Sequence, residues 1–390
     1  MAGALTAGLD ELFAEIAAGA EQRERERVAP FAQVDLLRRA GFGALRLAVT
    51  DGGTGATMRE LFEAVTALSH ADSNLGHLLR AHFGAVEDIL LWPDGEGRRV
   101  WIERIAGGAL IGVGNNELVA LHAGDVRKTT TLTPDGDDWI LQGTKYYSTG
   151  TLYCDWMFVT AVTPEGTPAF ALVPTDREGV TVEDDWDGFG QQLTASGTTR
   201  FERVRVHADE AMLPPAEAGG PRWHLGPFYQ HYLNAVIAGN MRAVLDDAVA
   251  LIAGRRRSFT HGSADLPKDD PVLLEVIGEI AANVAAADAI VLETADAIGR
   301  IAPSGLDDDV IHEAALQTSQ AQVTIDALGL SSADLLFEVG GASATRQGAN
   351  LDRHWRNIRT LASHNPARFK TRAIGDLLVN GTRLPDNTYF

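Results

Sequence analysis

The sequence is short of cysteine, of basic residues and of long apolar runs, and each shortage excludes something. Cys154 is the only cysteine in 390 residues, so no disulfide can form within the chain and a reducing compartment is expected. Lys and Arg together number 33 against 53 Asp and Glu, a formal charge of −20 that phosphate backbones and anionic membrane surfaces would repel. Nucleic acid is not an expected partner. No run approaches the roughly 18 apolar residues that span a bilayer, and Met1-Ala-Gly-Ala-Leu lacks the basic start and apolar core of a secretion signal. A cytoplasmic protein with no membrane partner is expected. The dinucleotide fingerprint is missing as well: Gly112-Val-Gly114 and Gly188-Phe-Gly190 lack the third glycine and the following helix, so no nicotinamide site can be named. His77 and His82 do not share the i, i+4 helix face of a zinc pair, and no metal is expected.

What is present falls into three stretches. Residues 4–105 carry helical periodicity, as in Leu9, Leu12, Phe13 and Ile16, and residues 1–107 read as an N-terminal helical domain. Arg23 to Arg27 reads as a solvated helix face, and Asp51-Gly-Gly-Thr-Gly as an ordinary turn, since a phosphate loop would end in Lys-Ser or Lys-Thr. Between Gly108 and Val206 the habit changes. Arg127 to Thr133, Trp139 to Tyr147, Trp156 to Val162, Pro168 to Val173, Val180 to Val182 and Phe201 to Val206 are short, β-branched and aromatic, with turn residues between them. Residues 108–213 are expected to form an antiparallel β-barrel or sandwich. After a linker at Pro214-Pro-Ala-Glu-Ala-Gly-Gly-Pro, three long helices follow, near Pro227–Phe259, Pro271–Ile301 and Asp307–Leu328, the second with an apolar stripe through Ile277, Ile280, Val284, Ala287, Val291 and Ala295. With a shorter helix at Pro366–Val379 they read as a C-terminal four-helix bundle within residues 214–390. The class is α+β, mostly α.

Four stretches in this order carry a resemblance: Gly41-Phe-Gly-Ala-Leu-Arg followed by Asp51-Gly-Gly-Thr-Gly; Leu141-Gln-Gly-Thr-Lys-Tyr-Tyr-Ser-Thr-Gly; Trp186-Asp-Gly-Phe-Gly-Gln-Gln-Leu-Thr-Ala-Ser-Gly; and Asp352-Arg-His-Trp-Arg-Asn-Ile-Arg-Thr-Leu-Ala-Ser-His-Asn-Pro. Along nearly its whole length the chain resembles the acyl-CoA dehydrogenase superfamily, most closely the flavin-dependent monooxygenase branch typified by dibenzothiophene monooxygenase. Two positions depart from that pattern: Ser343 stands in place of an arginine and Leu361 in place of a histidine.

The resemblance implies a flavin site. Its ring would meet Asn115, Tyr147, Ser148, Thr149 and Gly150 at strand ends, with Trp186, Thr194 and Ser196 beside them and His364 and Asn365 from the last region; its phosphate would meet Arg257, Phe259, Ser343 and Thr345. Read without the family, Tyr146 to Thr149 is a strand with one wet face, and Arg255 to Arg257 complement a helix C-terminus. Dehydrogenation of an acyl-CoA needs a carboxylate to take the α-proton, and the corresponding place holds His364 and Asn365. Oxygenation suits a histidine: reduced flavin adds O2 at C4a, and an imidazole can donate a proton to the resulting hydroperoxide or hold it. His364 is therefore the first catalytic candidate, with Thr149, Ser148 and Asn115 as hydrogen-bonding groups and His82 near substrate. The family further implies reduced FMN, with FAD as the alternative, supplied by a separate flavin reductase; a homotetramer; and insertion of one atom of O2 into a small or medium organic substrate, at sulfur first and at an amine second.

Overall fold

The computed structural model describes residues 8–118, 128–213 and 223–390. The linker expected at residues 214–221, the first residues of the chain and Arg127 lie outside them. Seven helices come first: α1 (Asp10–Ala17), α2 (Ala20–Glu26), α3 (Phe31–Arg39), α4 (Met58–Ala71), α5 (Ser73–Leu78), α6 (Arg80–Leu90) and α7 (Glu96–Ala106). The start of α4 is fixed by a capping box, in which Thr57 Oγ1 accepts from the Glu60 amide at 3.2 Å while the Glu60 carboxylate accepts from the Thr57 amide at 2.8 Å.

The strands are β1 (Ile111–Gly114), β2 (Thr131–Asp135), β3 (Asp138–Lys145), β4 (Trp156–Val162), β5 (Pro168–Pro174), β6 (Val180–Val182), β7 (Thr199–Val206) and β8 (Ala211–Met212). They form one curled sheet in the order β6-β7-β3-β2-β4-β5-β8, with β1 pairing β4 off that path. The expected all-antiparallel pairing needs correction. β1 runs parallel to β4 from Ile111↔Trp156 to Gly114↔Val159, and β2 meets β4 in parallel at Thr131↔Val162. The chain enters the sheet from α7 rather than from a hairpin, so β1 has no antiparallel neighbour to turn from. Alternation along β4 and β5 buries Met157, Val159, Ala161, Ala169, Ala171 and Val173 in the sheet's own core with Leu141, Phe201 and Val204. A bulge between Leu141 and Gly143 breaks the β3–β7 register; Gly143 takes φ +154°, and a Cβ there would lie 2.5 Å from Thr130 Oγ1.

The helices resume with α8 (Gly226–Gly254), α9 (Pro271–Gly299), α10 (Asp308–Gly340), α11 (Asp352–Ala362) and α12 (Ala367–Asn380). Asp270 and Asp307 cap α9 and α10 through side chains that accept from the first-turn amides, with Pro271 opening α9. The apolar stripe of α9 is buried at Ile280, Val284, Ala287, Val291 and Ala295. Helix α8 ends five residues before the expected Phe259, whereas α10 runs a full 33 residues, past Leu328 to Gly340. Gly329 does not stop α10: a Cβ there would stand 2.8 Å from Ile237 Cγ2, so this glycine lets α10 approach α8. Helix α4 packs on α8 and α9, and α12 on α10. One apolar cluster therefore runs from Phe13 and Phe62 through Phe228 and Ile298 to Ile358.

Candidate active site

The side chains picked out near the strand ends converge where the loop after β3 meets α5. Gly150 is obligatory there, with φ +80° and a would-be Cβ 2.1 Å from the Leu78 carbonyl. Its amide donates to Thr194 O at 2.8 Å. The hydroxyls of Thr149, Ser196 and Thr194 form a ladder with 2.8 Å spacings, ending on Gln191 O. Ser148 is buried, and its Oγ has no partner. Tyr147 sits at φ +57° with its ring half exposed, edge-on to Trp186 at 6.2 Å, and Gln191 and Ala195 also adopt positive φ at +53° and +47°. Three non-glycine residues at positive φ in this neighbourhood mark a backbone held by its surroundings.

Gln191 links this ladder to the second half of the site. Its amide donates to Asn357 Oδ1 at 2.6 Å, its Nε2 to Ser73 Oγ at 3.1 Å, and its Oε1 accepts from His77 Nδ1 at 3.2 Å. Asn357 in turn donates to buried Glu24 at 2.8 Å, and Arg23 bonds Asp72 at 3.0 Å. Arg25, Glu26 and Arg27 are exposed, as the solvated face expected, while Glu24 is buried and Arg23 partly so, each with a partner.

Beyond His77 stand Arg80, His364 and Lys370. Arg80 Nη1 lies 3.3 Å from His364 Nε2. A guanidinium has no lone pair to offer, so Nε2 must accept and the ring proton sits on Nδ1. Burial of the imidazole among its neighbours, then Arg80, His77 and Lys370, push the His364 pKa well below its usual value, although the residue as a whole is exposed. That shift favours the neutral imidazole, and with Nε2 facing Arg80 the donor it offers is Nδ1–H. Burial likewise lowers His77 to about 3 and Arg80 to about 10, and Lys370, wholly enclosed, to about 7. Arg80 Nε donates to Tyr229 O at 2.9 Å, and Lys370 Nζ donates to Tyr389 O and lies 3.9 Å over the Phe390 ring. The C-terminal segment is seated beside His364 by these bonds, by Asn365 Nδ2 donating to Tyr389 O at 2.7 Å, and by Gln230 donating to Thr388 O at 2.8 Å.

Three expected residues sit otherwise. His82 is fully buried with both ring nitrogens engaged: Nε2–H donates to Gly43 O at 2.9 Å and Nδ1 accepts from the Ile111 amide at 3.2 Å, so it ties α6 to β1 and leaves nothing for substrate. Asn115 Oδ1 accepts from Thr160 and Lys128 at 3.2 and 3.3 Å, which leaves only Nδ2 to offer. Beneath it lies a pair that nothing in the sequence announced, Lys145 on Glu117 at 2.5 Å, with side chains 0% and 2% exposed. The phosphate candidates form a separate group. Arg257 and Phe259 are exposed, a Cβ on Gly341 would lie 3.5 Å from Phe259 Cζ, and Ser343 and Thr345 donate their hydroxyls to Gly340 O and Ala342 O at 3.2 and 2.8 Å. Gln322, whose Nε2 donates to Asn365 O, lies roughly 27 Å before the end of α10 at 1.5 Å per residue, so this group is remote from His364 within one chain.

Residues 232–369 match the acyl-CoA dehydrogenase C-terminal domain and residues 122–204 the acyl-CoA dehydrogenase middle domain. Dibenzothiophene monooxygenase of Mycolicibacterium goodii is 30% identical over 358 residues, covering 88% of this chain and 86% of that protein. The chain belongs to the acyl-CoA dehydrogenase superfamily, in its flavin-dependent monooxygenase branch. A probable FMNH2-dependent monooxygenase, SfnC of Pseudomonas putida, is 28% identical over 97% of this chain and 95% of its own length. The FMN-bound crystal structure of TdsC from Paenibacillus sp. A11-2 superposes with a TM-score of 0.88 at 28% identity, covering 97% of this chain and 99% of that one. The branch's cofactor fits what stands here at the ring end: an unpartnered buried hydroxyl on Ser148 and the hydroxyl ladder supply donors for an isoalloxazine, with the Tyr147 and Trp186 rings close by.

Proposed function

We propose that the protein is a two-component monooxygenase that takes reduced FMN from a separate reductase and transfers one atom of O2 to sulfur in a small or medium organic substrate. Bound flavin supplies two electrons and the activation of O2; the second oxygen atom leaves as water. In this reading Ser148, Thr149 and Ser196 hold the ring edge with Tyr147 and Trp186 as walls, and His364 donates from Nδ1 to the oxygen that is transferred or lost. Arg257, Phe259, Ser343 and Thr345 hold the phosphate. Their distance along α10 from Asn365 supports a second copy of the chain supplying them, as in a homotetramer with sites at subunit contacts. The same reading divides the chain into a helical domain (residues 1–107), a strand domain (108–213) and a four-helix bundle with its tail (214–390).

The observation that carries this reading is the neutral His364 with basic groups for neighbours. Among the described residues no carboxylate bonds His364, Arg80 or Lys370. An ammonium substrate would be repelled by the Arg80 guanidinium, which disfavours oxygenation of an amine.

The test uses two amides. Asn places its N–H near the position of a histidine Nδ1, Gln near that of Nε2. His364→Asn is expected to keep FMN affinity and much of the oxygenation rate measured with an added flavin reductase, while His364→Gln falls about 100-fold, the scale of a lost donor to the reacting group. Equal rates in both variants and the wild type would remove His364 from the mechanism. Full turnover without any reductase, on an acyl-CoA, would remove the monooxygenase reading.

A further inference from the structure

Carboxyl groups that this fold buries are, with one exception among the described residues, each met by a donor. Glu24 accepts from Asn357 at 2.8 Å, Asp72 from Arg23 at 3.0 Å, Glu87 from Arg46 at 2.6 Å, Asp88 from Trp92 at 3.1 Å, Glu210 from Arg177 at 2.8 Å and Asp270 from the Val272 amide at 3.0 Å. The exception is Asp326, on α10. It is 7% exposed, and neither of its oxygens has a hydrogen-bond partner. One turn before it Gln322 is buried too, and its Oε1 is likewise unpartnered. Buried acceptors without a donor are costly, and each calls for an explanation.

Residues four apart on a helix are neighbours, so three acceptors stand together here without a hydrogen among them. Counter-charge does not resolve this. Helices α8, α9, α11 and α12 pack on α10, and among their described residues the only charge that bears on Asp326 is Arg359 of α11, whose Nε is spent on Ser363 Oγ at 3.1 Å. A proton does resolve it, because a carboxylic acid has one O–H to donate and Gln322 Oε1 can accept it. Burial, opposed only in part by the Gln322 amide and Arg359, raises the Asp326 pKa to about 7. The consequences reach beyond α10. With Oε1 occupied, Gln322 Nε2 is left to Asn365 O at 2.6 Å; Asn365 follows His364, and its own Nδ2 donates to Tyr389 O at 2.7 Å. An ionised Asp326 would compete with Asn365 O for that Nε2–H.

We propose that Asp326 carries a proton, donates it in a hydrogen bond to Gln322 Oε1, and in that form is a positioning residue for both the turn that bears His364 and the C-terminal segment seated beside it. The turn has its use under the monooxygenase reading, on which that half of the role rests; the hold on the C-terminal segment does not depend on it. Stability follows the proton. With the pKa raised from its ordinary 3.8 to about 7, the hold is complete below the ordinary value and is lost as pH rises through about 7. Lys370, which also bonds Tyr389 O and which burial brings down to about 7, would loosen the same segment over the same range. A substitution at Asp326 separates the two.

Hydrogen–deuterium exchange of the full-length protein, corrected for the intrinsic pH dependence of amide exchange, reads the hold on residues 381–390. In wild type these amides are expected to exchange about tenfold faster at about pH 8 than at about pH 6, the ratio that ionisation one unit above the pKa sets. Asp326→Asn keeps an N–H for Gln322 Oε1 and cannot ionise, so its ratio should fall below about threefold. A larger ratio in Asp326→Asn would belong to Lys370 and overturns the proposal, as does a wild type with no such ratio. Asp326→Leu removes the donor, and its segment should exchange fast at both pH values; a Leu variant that melts as a folded protein and protects the segment as wild type does also overturns it. The acid itself is read from the carboxylic C=O stretch in the infrared difference between wild type and Asp326→Asn, expected at about pH 6 and gone at about pH 8. No such band at the lower pH means an ionised Asp326, and the proposal fails. With a flavin reductase added, Asp326→Asn should keep a larger share of its oxygenation rate at the higher pH than wild type keeps, and an equal share would break the link to His364. Absence of oxygenation in wild type would count against the monooxygenase reading, while exchange and the infrared band would still decide the role of Asp326.

Discussion

Two basic clusters lie within this protein, and they are built on opposite terms. Under the sheet, Lys145 is fully enclosed but bonded to Glu117 at 2.5 Å and Thr160 at 3.2 Å, while Glu117 also accepts from the Thr129 amide at 2.6 Å. Burial works against ionisation of Glu117, but the Lys145 ammonium and the Thr129 amide outweigh it and hold the carboxyl at about 2; burial brings Lys145 down only to about 8. Beside His364, Arg80 and Lys370 have backbone carbonyls and aromatic rings instead. The first cluster is complete and reads as structure. The second is incomplete and reads as a site: a buried charge without its counterpart is a place where something is still to arrive.

The comparison can be broken by removing one member from each side. Glu117→Gln leaves Lys145 enclosed with a neutral partner, and the expected loss is about 3 kcal/mol of unfolding free energy, read from the midpoint of chemical denaturation. A loss under about 1 kcal/mol would mean that Lys145 is not held by charge. The opposite holds for Lys370→Met, which removes an enclosed cation that has no counter-ion. Its stability is expected to stay within about 1 kcal/mol of wild type in the same assay. A loss as large as that of Glu117→Gln would erase the distinction between the clusters.

Much of this was legible in the residues. The order of helices, strands and helices, the strand positions and the buried stripe of α9 follow from periodicity, because those patterns answer to local geometry. What escaped was decided by contacts between distant residues. Helix α11 is polar at Asp352, Arg353, His354, Arg356 and Asn357, yet His354 and Asn357 are buried with Ile358 and Leu361. The helix expected to end near Leu328 continues because Gly329 allows close approach to α8, a contact with another helix. In the candidate site, Thr149, Thr194 and Ser196 share hydrogen bonds next to Ser148 and Tyr147, and His364 faces Arg80. Arg80 and Gln191 were passed over, since one looked like a helix residue and the other like a loop residue. The signals were faint but real: Arg80 interrupts the apolar run Leu78-Leu79-Arg80-Ala81, where a charge needs a reason. His82 was misplaced because burial of both its nitrogens depends on Gly43 and on Ile111, which only the fold brings near.

The central claim is that the His364 ring is neutral, with its proton on Nδ1 and its Nε2 lone pair held by Arg80. Imidazole ¹H–¹⁵N correlation spectra of the full-length protein, with the His364 signals identified by their loss in His364→Asn, test it directly. Because the ring's pKa is depressed well below its usual value, the neutral form should persist unchanged as pH falls from about 8 through the usual histidine pKa of about 6.5, with Nδ1 protonated and Nε2 bare. A ring that titrates within that range, or one that carries its proton on Nε2, would contradict the account.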